Sequence, residues 1–487
     1  MHKTTSDIYL KKYHQLIKAV LTVLFICTAL ASYSTIRLPS IIGSNMVLQQ
    51  QSDVKLWGWG EPNEKVVITT SWDNKAYPAV TVTGNATWEL IIKTPAAGGP
   101  YTIKLNGNNS IVLTNILIGE VWVCSGQSNM EMSGTWGLQD IKAELPKAKN
   151  NSIRLFHMAK ASAPYPQQDC VGEWVVCDSA SLRTFSATGY FFGKNLNSKL
   201  NVSVGLIQSC WSGSSADVWT PDSIINKDPI LKEANKKIAV NGQVPNIAGY
   251  VYNAMIAPIT NYAIAGVIWY QGENNSHVAS TYPRLFTSMI DAWRSAFHKN
   301  LPFYFVQVAP FKYQQKNWGA LIREAQTESM KHPNTGMIIT TDLTSDTNNV
   351  HPANKHDVGL RLANWALAET YHQRGIVYKS PLFASLSIKK DKAIITIDNA
   401  EHGLLIKGIK ATELYIAGND KVFYPANASV KNNRITVWSD KVTAPVAVRY
   451  EFSNTAIGNI FSKDGLPLGP FRTDNWPVEN EYKFATQ

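Results

Sequence analysis

Between residues 150 and 343 the chain alternates compact apolar runs with amphipathic stretches. "SIRLFHMA", "VSVGLIQSCW", "IAGVIWYQGE", "LPFYFVQVAP" and "TGMIITTDL" are apolar almost throughout. A strand with one face on a core alternates apolar and polar; an unbroken apolar run of this length predicts a strand buried on both faces. The connecting stretches read differently. In "TYPRLFTSMIDAWRSAF", Tyr282, Leu285, Phe286, Met289, Ile290, Trp293 and Phe297 recur at helical spacing, which predicts one apolar helix face. Strand alternating with helix predicts βαβ units, a parallel sheet and right-handed crossovers. The span 114–378 is therefore expected to be one three-layer α/β/α domain.

The flanks have a shorter rhythm. "VKLWGWGEPNEKVVITTSW", "ATWELIIKT" and "YTIKLNG" are short strands separated by Gly, Pro and Asn. They predict a β-sandwich over 35–113. "KAIITIDNA", "NRITVWSD" and "APVAVRYEFSN" predict a second β-rich domain over 379–487. The Lys-rich piece "DSIINKDPILKEANKKIAVNGQ" is expected to lie over the end of the second central strand.

Residues 1–34 carry another pattern. Lys11, Lys12 and Lys18 precede the apolar run Ala19–Ala31, and Ala29-Leu30-Ala31 offers a small-residue cleavage site. This reads as a secretory signal peptide, too short to span a membrane comfortably. The mature chain is expected to be secreted or periplasmic, with no membrane span after signal removal. The rival reading is an uncleaved anchor.

Composition narrows the function classes. The 487 residues are 45% hydrophobic and 17% charged, which describes a globular chain. The net charge is +10, but Lys and Arg are scattered and not interleaved with aromatics, so no nucleic-acid partner is expected. A mild attraction to acidic sugars is compatible with that charge. Fifteen tryptophans suit a carbohydrate-handling protein as well as a large core. Outside the signal, Cys170 and Cys177 are close enough in sequence to pair, while Cys124 and Cys210 lie in apolar strands and read as buried. None has a metal-ligand spacing, and no metal or cofactor is expected.

The polar residues gather at strand ends. "EVWVCSGQSNMEMSG" leaves an apolar strand at Gly126 and presents Ser128 and Asn129. Other strands end in Trp211-Ser212-Gly213-Ser214 and in Gln271-Gly272-Glu273-Asn274-Asn275, and "DTNNVHPANK" places His351 before a helix. Parallel α/β sheets keep their ligand sites at this edge. A hydroxyl, an imidazole, backbone N–H groups beside small residues and side-chain amides are the inventory of acyl transfer. Glu273 reads as a buried partner holding its block. Arg323 reads as a surface or structural ion-pair residue, with a substrate carboxylate as the alternative. His356 reads as an exposed position in a helix.

"GEVWVCSGQSNM", "VGLIQSCWSGSSADVW", "GVIWYQGENN" and "VHPANKHDVGLRLANWAL" together resemble the blocks of the sialate O-acetylesterase family of SGNH hydrolases. "GSNMVLQQ" and "GLPLGPFRTDNW" resemble its outer segments. The resemblance implies an SGNH-hydrolase α/β/α domain and a serine esterase acting on O-acetylated sialic acid. It implies Ser128 as nucleophile, His351 as base, and the backbone N–H groups of Ser128 and Gly213 as an oxyanion hole. It also implies a third-block amide, for which Gln271 and Asn274 are both candidates.

Two positions depart from the family pattern. Ser212 replaces a glycine in the second block. Asn348 stands three residues before the histidine, where the superfamily carries its acid. Asp346 is the first candidate to replace that acid and Asp342 the second; the alternatives are Asn348 itself, whose amide oxygen can accept from the imidazole Nδ1–H, and a Ser–His dyad oriented by an amide or a backbone carbonyl. Two other functions share these features: an acetyl esterase of plant polysaccharide such as xylan or pectin, and a carbohydrate-binding protein without catalysis.

Overall fold

The computed structural model describes residues 13–15, 17–18, 36–238, 242 and 244–481. The proposed cleavage site and Cys27 lie outside these residues.

Seven strands form the main run of a twelve-stranded sheet: β1 (Ser110–Gly126), β2 (Asn150–His157), β3 (Trp174–Cys177), β4 (Ser203–Cys210), β5 (Gly266–Tyr270), β6 (Phe303–Val306) and β7 (Thr335–Ile338). Their spatial order is β3-β2-β4-β1-β5-β6-β7. All neighbours are parallel except the edge strand β3, which runs antiparallel to β2. The order reverses around β1, so its carboxyl end lies at the crevice where such sheets bind ligands.

The apolar runs are buried on both faces. Along β1, Val121 and Val123 belong to one core and Trp122 and Cys124 to the other. In β5, Val267 and Trp269 face the first core while Ile268 and Tyr270 face the second. Five helices matter for the site: α1 (Ser128–Glu131), α2 (Ala187–Leu200), α3 (Tyr282–Ala296), α4 (Trp318–Ser329) and α5 (His356–Trp365). Helices α3 and α4 cover the first face, α2 and α5 the second. The buried residues of α3 are Tyr282, Leu285, Phe286, Met289, Ile290 and Trp293, six of the seven read from its spacing. Around Trp269 the rings of Trp219, Phe286, Trp293 and Phe303 lie 6.0–6.3 Å away. Such pairs add about 0.5–1.5 kcal/mol each beyond their buried area, which fixes the end of β5.

The amino-terminal segment pairs Asp53–Trp59 with Thr87–Lys93, and Lys65–Thr70 with Gly98–Asn106. Gly98–Asn106 pairs in turn with the first half of β1. One 17-residue strand thus runs from this segment into the central sheet. Val54, Leu56, Ile68, Trp88 and Leu105 join the same hydrophobic cluster as Val123 and Trp269. The carboxyl-terminal segment has its own core between two four-stranded antiparallel sheets, including Ile395, Ile416, Val437 and Tyr450.

The Lys-rich piece forms two short helices, Asp222–Lys227 and Pro229–Asn235. Asp228 caps the second by accepting from the N–H groups of Ile230 and Leu231. Cys124, Cys170, Cys177 and Cys210 are all buried free thiols, so Cys170 and Cys177 are not paired. Among the described residues, no helix is long and apolar enough to cross a membrane.

Candidate active site

The site begins where β1 and β5 nearly touch. Gly126 has φ +132°, and a Cβ there would stand 2.2 Å from the Tyr270 carbonyl oxygen, so only glycine fits. The chain then turns at once into α1. Ser128 is its first residue and is only 4% exposed. The first N–H groups of a helix have no intrahelical acceptor. The backbone N–H of Ser128 therefore faces outward from the turn with no carbonyl partner among the described residues.

The second block is stitched to the serine block. The Trp211 N–H donates to the Gly126 carbonyl at 3.0 Å. The Ser212 N–H donates to Glu131 Oε2 at 2.6 Å, and Lys160 Nζ holds Glu131 Oε1 at 2.6 Å. Gly213 follows with φ +76°, and its N–H also has no carbonyl acceptor among the described residues. Asn274 from the third block donates its amide to the Gly213 carbonyl at 2.9 Å.

The two candidate amides therefore part company. Gln271 is fully buried and spends its amide on the Ser214 carbonyl at 3.2 Å and on Asn275 Oδ1 at 2.8 Å. Its oxygen accepts from the Tyr282 hydroxyl at 3.1 Å. Gln271 thus spends its amide hydrogens on neighbouring blocks. Asn274 is half-buried beside Gly213 and has a second amide hydrogen uncommitted among the described residues.

Asn129 joins the remaining pieces. It is fully buried, and its amide donates to Glu273 Oε1 at 2.7 Å and to the Val350 carbonyl at 3.0 Å. Its oxygen accepts from Lys355 Nζ at 2.6 Å. The residue after the serine thus binds the residue before His351 and the lysine after it. Lys355 is fully buried over the Tyr270 ring, 5.1 Å from its centroid. Burial pushes the Lys355 ammonium down to about 7, against the pull of Glu273 and Asp140. Burial also raises the Glu273 carboxyl, whose Oε2 has no hydrogen-bond partner. Both groups are driven toward their neutral forms.

His351 is half-buried. Its backbone N–H donates to Asn349 Oδ1 at 2.9 Å, and its ring meets Trp136 edge-on at 5.4 Å. Burial and then the Lys355 charge hold the imidazole below its ordinary value, and no carboxylate counters them. Asp346 does not reach the ring: its carboxylate accepts from the backbone and side chain of Asn348, at 2.9 and 3.1 Å. Asp342 is committed to Arg361 through two bonds of 2.8 and 2.6 Å. Among the described residues Asp346 therefore makes no hydrogen bond to His351. It sits in an exposed turn that folds on itself.

Arg323 takes a structural role, with the Glu451 charge nearby. It is fully buried and donates to the carbonyls of Glu451, Ser453 and Asn454 in the carboxyl-terminal domain. It is neither a surface ion pair nor open to a substrate carboxylate. Glu273 is half-buried with its Oε2 fully enclosed, and His356 is exposed at the start of α5. Sequence reasoning missed Asn129, Glu131 and Lys355 as ties between blocks, although Asn129 and Lys355 stand inside the quoted motifs. Nothing in the spacing of Glu131 signals its bond to Ser212. Among the described residues, no cluster of three or more His, Cys, Asp or Glu could hold a metal ion.

The comparisons agree with this architecture. The sequence model of the family described as "Carbohydrate esterase, sialic acid-specific acetylesterase" matches residues 118–368. Human sialate O-acetylesterase is 26% identical over 399 residues, covering 74% of this chain and 76% of that protein. The mouse sialate O-acetylesterase is 26% identical over 426 residues, covering 74% and 78%. The crystal structure of a carbohydrate acetylesterase from Xanthomonas citri superposes with a TM-score of 0.82 at 33% identity, over 91% of this chain and all of that one. An SGNH-type α/β sheet with these four blocks at one edge defines an esterase, and the chain belongs to the sialic acid-specific acetylesterase family of carbohydrate esterases.

Proposed function

We propose that the protein removes O-acetyl groups from sialic acid or a related glycan by Ser–His catalysis. Ser128 Oγ attacks the acetyl carbonyl and His351 takes its proton. The N–H groups of Ser128 and Gly213, with the Asn274 amide, receive the oxyanion. The tetrahedral intermediate collapses, the C–O bond to the sugar breaks, and His351 returns its proton to the departing oxygen. Water then attacks the acetyl-enzyme through the same base, releasing acetate and restoring Ser128. With no carboxylate on its ring, His351 works as one member of a dyad, held by its loop.

The observation that carries this reading is Asn129. One buried amide fixes the serine block, the third block and the histidine loop in a single frame. The names of the curated relatives favour a sialate ester. The burial of Arg323 removes it as a partner for a sialate carboxylate, and an acetylated polysaccharide such as xylan is the second reading. Acetate released from O-acetylated sialic acid and from acetylated xylan, measured side by side, decides between them. The Ser128→Ala variant should release none from either; an active variant removes Ser128 from its role. We propose further that the protein is secreted, and a mature amino terminus shortly after Ala31 is the expected result of sequencing the exported chain.

A further inference from the structure

Trp136 is out of place for a structural residue. Among the described residues, which include all fifteen tryptophans, it alone is exposed, at 41%. A single exposed apolar side chain is ordinary and by itself means nothing. Two further facts give this one a direction.

The first is its neighbour. The indole meets the His351 ring edge-on, with centroids 5.4 Å apart and planes at 80°. In the proposed reaction His351 returns a proton to the oxygen of the departing sugar. The sugar must then lie against the imidazole, one ring's width from the indole. The second is its support. Trp136 ends a short helical turn, Gly134–Trp136, and its N–H donates to the Ser133 carbonyl at 3.0 Å. Ser133 and Thr135 share a hydroxyl bond of 2.8 Å, and Gly137 N–H closes the turn on the Gly134 carbonyl at 3.3 Å. The ring is presented from an ordered turn. Its indole N–H makes no hydrogen bond among the described residues, so it retains a donor for a hydroxyl.

A rigid aromatic face with a free N–H at its edge matches a pyranose ring, whose C–H face is apolar and whose rim is polar. We propose that Trp136 is the stacking platform for the sugar that carries the scissile acetyl ester, and so selects carbohydrate esters over simple ones. This rests on the Ser128–His351 reading above.

The test uses the full-length mature protein and two substrates, acetylated xylo-oligosaccharide or O-acetylated sialic acid, and ethyl acetate, which has no sugar to stack. For Trp136→Ala, the ratio of kcat/KM on the glycan ester to that on ethyl acetate should fall at least tenfold, chiefly through a higher KM. Trp136→Phe should recover most of that ratio. In a Ser128→Ala background, calorimetric binding of the acetylated glycan should weaken to the same degree when Trp136→Ala is added. An unchanged ratio, or a loss equal on both substrates, overturns the platform and leaves Trp136 as a support for His351. Failure of the underlying reading shows separately, as ethyl acetate hydrolysis that survives Ser128→Ala.

Discussion

His351 has burial on one side, a lysine charge behind it and no carboxylate to favour its protonated form. Each influence lowers its affinity for a proton, so the neutral imidazole persists to lower pH than an ordinary histidine, near 6.5, allows. The acid limb of kcat/KM should therefore have an apparent midpoint below 6.5, with a plateau above it. Lys355→Met keeps the length of the side chain and removes the charge. It should move that midpoint upward, because the charge that repels the proton is gone; a pH profile of both proteins on one acetyl ester reads this directly. Asp346→Asn should change kcat/KM less than about threefold, since its carboxylate bonds only to its own turn. A loss of a hundredfold or more would restore Asp346 as the acid. Asp342→Asn should instead weaken the fold by on the order of 2 kcal/mol in urea denaturation, through Arg361.

At the level of elements, the proposed catalysis draws on three loops that leave different strands and meet beyond the sheet. Asn129 is their shared tie, and its loss leaves Lys355 and Glu273 buried without their bridge. Asn129→Ala should lower kcat/KM at least a hundredfold and destabilise the fold by roughly 3–5 kcal/mol. Glu131 acts on one loop only. Glu131→Gln removes a charge-assisted bond to the Ser212 N–H and the Lys160 partner, worth about 1.5–3 kcal/mol. It should lower kcat tenfold or more with a smaller change in KM, because in the proposed mechanism the Gly213 N–H receives only the oxyanion; a change confined to KM would show that the loop stays in place. This is also where reading from sequence runs out. Strands such as β5 and the face of α3 were legible because burial on two faces, or on one helical stripe, writes a period into the chain. The serine, glycine and histidine blocks were legible as polar residues at strand ends. Which amide points at Gly213, and that Asp346 turns away from His351, follow from loop conformation, which leaves no period. Gln271 and Asn274 differ by three positions along one turn, and only the bonds of Gln271 to Ser214 and Asn275 separate their roles.

Across the whole molecule, the carboxyl-terminal domain docks on the catalytic domain through buried charge. Arg323 of α4 donates to three carbonyls of the segment Glu451–Asn454, and Arg472 holds Glu324 of the same helix through two bonds of 2.7 and 2.8 Å. Since Gln326 on α4 also bonds the Gln271 carbonyl at 3.0 Å, this contact backs the third block of the active site. Glu451 is the titrating member. Its Oε1 accepts from the Gly458 N–H, its Oε2 has no partner, and burial raises its carboxyl to about 8 despite the attraction of Arg323. An unfolded glutamate titrates near 4.3. Between those values the folded chain holds a proton that the unfolded chain has released. The contribution of Glu451 is therefore complete below about 4 and is lost as pH rises through about 8. Glu451→Gln keeps the shape and cannot ionise, so it should remove this slope. The difference in urea midpoint between variant and parent should grow in favour of the variant from pH 5.5 to pH 8.5, by the equivalent of a few kcal/mol. Because other groups titrate in both proteins, the difference between the two curves is the quantity to measure. Curves that stay parallel across that range would show that Glu451 is already ionised in the fold, paired with Arg323.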